Sequence, residues 1–406
     1  MMRCRAWLRL FRWFVAGGGL LVFLHPLKAQ EDSLDLAGAT ILIGSRATSQ
    51  ERFAARELQR YLYHLTGHRL PLATQHGALL PASARQGPLI LLGTPQSHPF
   101  LRRFTGRLAL TPQAIGDEGY HLKVLTAGRQ HLLAVAARTP VGVLYGVYDL
   151  LERLGFGFYL GGDALPPRGT PAKVPASLDA ICRPVFAIRG SLPWYNFLNS
   201  PTTWDLPDYK RFFEQMVKQR FNFVGFHTYD HEPFVPYEWQ GQLVAAQPLA
   251  SSLTYGWGAV RGLPTAAFGF GTGEYFDRDP FASRSLLEGG TREEQILRSQ
   301  RLLAEALRYA KGLGLKVCLG FELIGDPTQP ETLARLEARI AALVRAYPML
   351  DYVWFWQSEG LGGGRDVPSA DTPLGLLVRQ EGSPFAYLEN PCRIAEAVRF
   401  SCYANA

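Results

Sequence analysis

The sequence predicts an α/β protein: a small α+β sandwich domain followed by a parallel sheet of (β/α)₈ TIM-barrel type, present only in part. Three observations lead there. Between Asp35 and Ala176, short apolar strands alternate with two amphipathic helical segments. From Phe186 onward, strongly apolar strands alternate with longer helices, the pattern of a parallel sheet covered by helices. Between the two lies "PPRGTPAKVPAS" (Pro166–Ser177), a proline-rich linker.

In the first region "ATILIG" (Ala39–Gly44) and "GPLILLG" (Gly87–Gly93) are buried strands. "SQERFAARELQRYLYHLTG" (Ser49–Gly67) places Phe53, Leu58, Tyr61, Leu62 and Leu65 at helical spacing, with Ser49 as the expected N-cap and Gly67 as the stop. "GYHLKVL" (Gly119–Leu125) and "HLLAVAAR" (His131–Arg138) form a hairpin across a polar turn. "TPVGVLYGVYDLLERLG" (Thr139–Gly155) is a second helix, capped by Thr139 with Pro140 in its first position.

The second region opens with "FAIRG" (Phe186–Gly190) as strand one and "DYKRFFEQMVKQR" (Asp208–Arg220) as its helix. "NFVGFHTY" (Asn222–Tyr229) is strand two. A long glycine- and aromatic-rich insertion precedes the helix Arg292–Gly314. "KVCLGFE" (Lys316–Glu322), the helix Glu331–Pro348 and "DYVWFW" (Asp351–Trp356) complete four strand–helix units. A whole barrel takes about 250 residues, and an open half-barrel would expose its strand edges. The expectation is a fragment of a longer enzyme, divided into residues 1–30, 31–176 and 177–406.

The net charge of +7 does not mark a polyanion binder. Arg3, Arg5, Arg9, Arg12 and Lys28 precede the first acid, Glu31, and +7 less these five leaves +2. With no basic stripe, nucleic-acid binding is not expected. The same positives flank the apolar run "FVAGGGLLVFL" (Phe14–Leu24), and "HPLKAQ" comes next with a cleavage site near Ala29. That is an export signal, shorter than the roughly 20 residues a membrane span needs. The protein is expected in the periplasm or outside the cell, with no membrane association after cleavage. Cys4, Cys182, Cys318, Cys392 and Cys402 sit at no metal-ligand spacing, and Cys318 reads as a small buried hydrophobe.

The stretches Ala54–Leu72, "DEGYHLKV" (Asp117–Val124) and "TPVGVLYGVYDLLERLGFGFYLGGDALP" (Thr139–Pro166) resemble the domain preceding the catalytic barrel in family 20 β-hexosaminidases and family 67 α-glucuronidases. "IRG" (Ile188–Gly190) is similar at barrel entry. The resemblance implies a secreted glycoside hydrolase acting on polysaccharide or glycan, α-glucuronidase-like or hexosaminidase-like. Family 20 enzymes carry an Asp-Glu pair at the end of the fourth strand, the Asp orienting the acetamido group and the Glu acting as general acid. Here that place reads Ser358-Glu359, a departure that leaves the acid without its aspartate partner.

Barrel active sites lie at the carboxyl ends of the strands, and glycoside hydrolysis generally uses two carboxyls. Glu359 is the expected general acid, its proton held by the desolvating neighbours Trp354 or Trp356, and Glu322 is the next carboxyl. Arg189, Trp194, His227, Asp230 and Gln357 are expected substrate contacts. Arg189 suits a uronic carboxylate; its other role is an ion pair with a strand-end acid. Trp194, Tyr195, Trp204, Trp239, Tyr255 and Trp257 fall in loops after strands one and two, where aromatics can form a platform for sugar rings.

No metal or cofactor is expected. "HTYDHE" (His227–Glu232) contains ligand-type residues but no standard zinc spacing, and only a metal-dependent lyase or deacetylase would use it so. "AFGFGTGEYF" (Ala267–Phe276) has no leading strand and no Walker lysine, which excludes a nucleotide loop. The alternative function is a non-catalytic carbohydrate-binding protein, or a truncated and inactive hydrolase. Sugar, linkage, stereochemistry and oligomeric state are not written in the sequence.

Overall fold

The computed structural model describes residues 32–76, 87–128, 130–195, 200–229, 232–244, 265–271, 283–322 and 329–356. The first unit opens with β1 (Ser33–Asp35) and β2 (Thr40–Gly44), followed by α1 (Ser49–Thr66). The cap of α1 is Thr48 rather than Ser49, because the extended backbone an N-cap needs falls one residue earlier. Thr48 Oγ1 accepts from the Glu51 N–H, and the Glu51 carboxylate accepts from the Thr48 N–H at 2.7 Å, a full capping box. Gly67 ends the helix at φ 69°, a left-handed turn that glycine adopts without strain.

β3 (Leu72–Gln75), β4 (Leu89–Gly93) and the short α2 (Pro112–Ile115) lead to the expected hairpin, β5 (Tyr120–Ala127) and β6 (Gln130–Ala137). α3 (Pro140–Arg153) then starts on the Thr139 cap, as its sequence predicts. A small hairpin of β7 (Gly157–Tyr159) and β8 (Gly162–Ala164) comes after it. The proline-rich stretch is not a free linker: its β9 (Lys173–Pro175) pairs with β1, and β10 (Asp179–Cys182) pairs antiparallel with β5. The first mixed sheet therefore runs β10-β5-β6-β4-β2-β3. Its edge contains residues expected in the second unit, so the crossover comes after Cys182 rather than at 177. One face (Ile41, Ile43, Ile90, Leu92, Val135) packs on α1 and α3, and the other (Leu42, Leu89, Leu91, Ala134) on Phe100, Leu101 and Phe104. Burial on both faces explains why these strands read as continuous apolar runs.

The second unit comprises β11 (Gly190–Ser191), α4 (Leu206–Lys218), β12 (Phe223–Thr228), the hairpin β13 (Tyr237–Trp239) and β14 (Gln242–Val244), α5 (Arg284–Leu287), α6 (Arg292–Gly312), β15 (Lys316–Glu322), α7 (Pro330–Ala346) and β16 (Tyr352–Trp356). Strands β11, β12, β15 and β16 are parallel and adjacent in chain order. Alternation along each strand sends Val224, Phe226, Val317, Leu319, Phe321, Val353 and Phe355 into the core formed with α4, α6 and α7. The opposite face carries Phe223, Cys318 and Trp354, a small separate cluster. Among the described residues the sheet has four strands and is not closed.

The seam between the units is polar and partly buried. Asp163 accepts from Gln215 and, through both oxygens at 3.0 Å, from Lys218, whose side chain is 4% exposed. Arg220 donates bidentately to Glu152 at 2.6 and 2.8 Å. Glu118 accepts from Arg189 at 2.6 Å and from Asn222 at 2.9 Å. The Tyr145 hydroxyl donates to the Phe221 carbonyl at 2.8 Å.

Candidate functional site

The carboxyl ends of the parallel strands bring four positions into one row. His227 on β12 is in register with Gly320 on β15, Gly320 with Trp354 on β16, and Trp194 bridges to His227 from the segment after β11. The indole of Trp194 stacks on the imidazole at 3.9 Å, with the planes 18° apart. Trp354 meets that imidazole edge-on and donates from Nε1 to His227 Nδ1 at 3.2 Å. Gly320 makes room for this: a Cβ there would lie 1.8 Å from Trp354 Cδ1. The Tyr229 ring closes the cluster edge-on at 5.0 Å from the imidazole.

His227 is fully buried, and burial, helped by the charge of Arg339, pushes its pKa down to about 3. It is a neutral imidazole at any ordinary pH. Its Nε2 has no hydrogen-bond partner among the described residues.

Glu322 ends β15 half-buried, two residues beyond Gly320. The period of two places it on the face of His227 and Trp354. The structure adds a second acid to which the sequence pattern assigns no role of its own. Glu232 is 1% exposed and lies just past β12, where its carboxylate accepts from the Tyr229 N–H at 2.8 Å. Burial raises its pKa to about 8, against the opposing pull of that hydrogen bond and of Arg339. Arg339, 4% exposed on α7, lies over the Phe321 ring at 3.8 Å. The sequence signal for it is slight, since one arginine among several on an amphipathic helix looks like surface charge.

The structure thus gathers Trp194, His227 and Glu322 at the strand ends. Arg189 is placed elsewhere: it precedes β11 and lies at the amino-terminal edge of the sheet. Its Nη2 pairs with Glu118, Nε donates to the Arg220 carbonyl and Nη1 to the Phe186 carbonyl. Strand one begins after this arginine rather than ending near it, so a uronate contact gives way to an interdomain ion pair. Asp230, Gln357 and Glu359 lie outside the described residues. Two of the six loop aromatics belong to the core. Tyr195 is fully buried with its hydroxyl 2.5 Å from that of Tyr209, and Trp204 packs on Tyr209, Phe212 and Phe270. Trp239 is half-buried on β13, and Tyr255 and Trp257 lie outside the described residues. Cys318, 1% exposed in its strand, is the small buried hydrophobe the sequence suggests.

Residues 25–150 match the family model described as the glycosyl hydrolase family 67 N-terminus. Over these residues the first unit is similar to that family's N-terminal domain. The first unit precedes the parallel sheet in the chain, and Glu118, α3 and β8 supply its side of the polar seam. No match was found among curated proteins. Solved structures similar to the chain include a Streptomyces plicatus β-hexosaminidase with its product GlcNAc, at 16% identity and a TM-score of 0.43, covering 80% of this chain and 56% of that one. The family 20 β-N-acetylhexosaminidase of Streptomyces coelicolor A3(2) is similar at 17% identity and a TM-score of 0.44, with the same coverage of 80% and 56%. The chain spans 56% of the length of either hexosaminidase.

Proposed function

We propose that this chain is part of an exported glycoside hydrolase in which the family 67-like domain precedes a (β/α)₈ catalytic barrel. The observation that carries the reading is the match of residues 25–150 to a glycosyl hydrolase domain. The sheet beyond that domain supports it, with parallel strands adjacent in chain order and a carboxyl, an imidazole and two indoles at their carboxyl ends. Barrel enzymes work from that end of the sheet.

In this reading the half-buried Trp194 offers an apolar ring face to a sugar, and His227 binds a hydroxyl. Glu359 is the general acid three residues past β16, and Glu322 is the second carboxyl or a hydroxyl ligand. Asp230 and Gln357 complete the contacts to the substrate. The substrate is a polysaccharide or glycan, α-glucuronide-like or hexosaminide-like. The test is hydrolysis of 4-nitrophenyl glycoside and uronoside panels by the intact protein, with Glu359→Gln as control. The variant should lose at least a hundredfold in kcat on substrates with poor leaving groups, within the range general acids supply. Undiminished turnover of the variant on a substrate with a poor leaving group would remove Glu359 from the mechanism, and binding without turnover would make the protein a carbohydrate binder instead.

A further inference from the structure

The row at the strand ends contains an uncommon combination: a fully buried imidazole whose two nitrogens have unlike surroundings. Nδ1 has Trp354 Nε1 at 3.2 Å. An indole N–H only donates, so Nδ1 must be the acceptor, and in a neutral imidazole the proton then sits on Nε2. Nε2 is buried without a partner among the described residues. A buried N–H left unsatisfied is costly, and native proteins rarely keep one without a use for it.

The surroundings maintain this arrangement. Trp194 stacks on one face of the ring at 3.9 Å, and Tyr229 and Trp354 meet it edge-on at 5.0 and 6.4 Å. Gly320, in register between His227 and Trp354, leaves the gap the second indole fills. The ring is therefore fixed in position, in tautomer and in charge. A carboxylate partner would have drawn it toward the cation; a neutral indole does not.

We propose that His227 is a one-way hydrogen-bond donor, its Nε2–H presented to an oxygen acceptor on a carbohydrate, a hydroxyl being the natural match for a neutral N–H. Trp354 is the positioning residue that sets the tautomer. The ligand half rests on the glycoside hydrolase reading, whereas the tautomer half does not. This also separates His227 from acid–base work: it holds its proton throughout the cycle, and the proton transfers belong to the carboxyls.

The test uses the intact protein with ¹⁵N-labelled histidine, the His227 signals being assigned by their loss in His227→Gln. Long-range ¹H–¹⁵N spectra should show the Nε2–H pattern unchanged from about pH 8 to about pH 5. Trp354→Phe should mix the tautomers, a change that a packing role for Trp354 does not require. Adding 4-nitrophenyl N-acetylglucosaminide or 4-nitrophenyl glucuronide should shift the Nε2 signal. His227→Asn, which can mimic only the Nδ1 side, should raise KM by roughly tenfold, the scale of one lost hydrogen bond. His227→Gln, which reaches toward the Nε2 position, should recover part of that loss. An Nδ1–H pattern or a cation at about pH 6 would overturn the proposal. So would turnover of either glycoside with an unmoved Nε2 signal and no difference between the two variants. If neither glycoside binds or reacts, the ligand half fails together with the proposed function, and the spectra still decide the tautomer.

Discussion

Glu232→Gln isolates the effect of one buried carboxyl on stability. The side chain is 1% exposed, its pKa is raised to about 8 against an ordinary value of 4.5, and burial is the leading cause. The folded state thus holds this proton more tightly than the unfolded chain does. The group's contribution to stability is complete below about pH 4.5 and is lost as the pH rises toward 8. Each unit across that window is worth about 1.4 kcal/mol, so between about pH 5 and pH 8 this group should cost the protein about 4 kcal/mol. Glutamine keeps the shape, its amide oxygen accepts the Tyr229 N–H in the carboxylate's place, and it has nothing to ionise. The variant should match the parent near pH 5 and be the more stable of the two at pH 8, by an amount on that order. Urea unfolding at intervals of one pH unit, with slopes compared for constancy, measures the difference directly. Parallel pH profiles for the two proteins would refute the reasoning, because they would mean that Glu232 is already ionised in the fold.

Acid should act with the opposite sign through His98 and His227, whose pKa values burial lowers to about 4 and about 3. Only the unfolded chain takes up their protons below about pH 6.5, so urea midpoints should fall from there toward pH 4, and His98→Gln should flatten that slope. Gly320→Ala places a Cβ 1.8 Å from Trp354 and should cost about 3 kcal/mol, with a change in indole fluorescence as Trp354 is displaced. Lys218→Met leaves the Asp163 carboxylate without its buried cation and should cost about 3–5 kcal/mol in chemical denaturation. Leu307→Ala, in the fully buried face of α6, should cost about 2–5 kcal/mol by the same measurement.

The parts of the fold that are legible in the sequence are those governed by local pattern. Thr139 followed by Pro140, and Gly67 after a run of helical spacing, declare helix ends through chemistry that acts within one turn. Lys316–Glu322 and Tyr352–Trp356 declare strands through unbroken apolar runs. Arg189 and Tyr195 mislead for the opposite reason. Arg189 looks like a binding residue until Glu118, 71 positions earlier, is brought against it, and nothing local announces that approach. Tyr195 looks like a loop aromatic until the Tyr209 hydroxyl and the Phe234 ring enclose it. At the site, His227 is visible as a polar residue ending a greasy strand, but its dependence on Trp354 passes through a register between β12, β15 and β16 that only the folded sheet defines. Glu232 has no signal except its nearness to His227, since burial of a loop acid is decided by what folds over it.

The polar seam has a consequence for how the protein is made. Glu118, Glu152 and Asp163 all belong to the unit that leaves the ribosome first, and their partners Arg189, Lys218, Arg220 and Asn222 belong to the later one. Once β10 has been synthesised the first sheet has all its strands, while Arg220 arrives roughly 40 residues later, a wait of a few seconds at ordinary elongation rates. Through that interval the three carboxylates are without these cationic partners and stay hydrated. They keep the waiting face soluble, and the emerging cations then find it already charged to receive them.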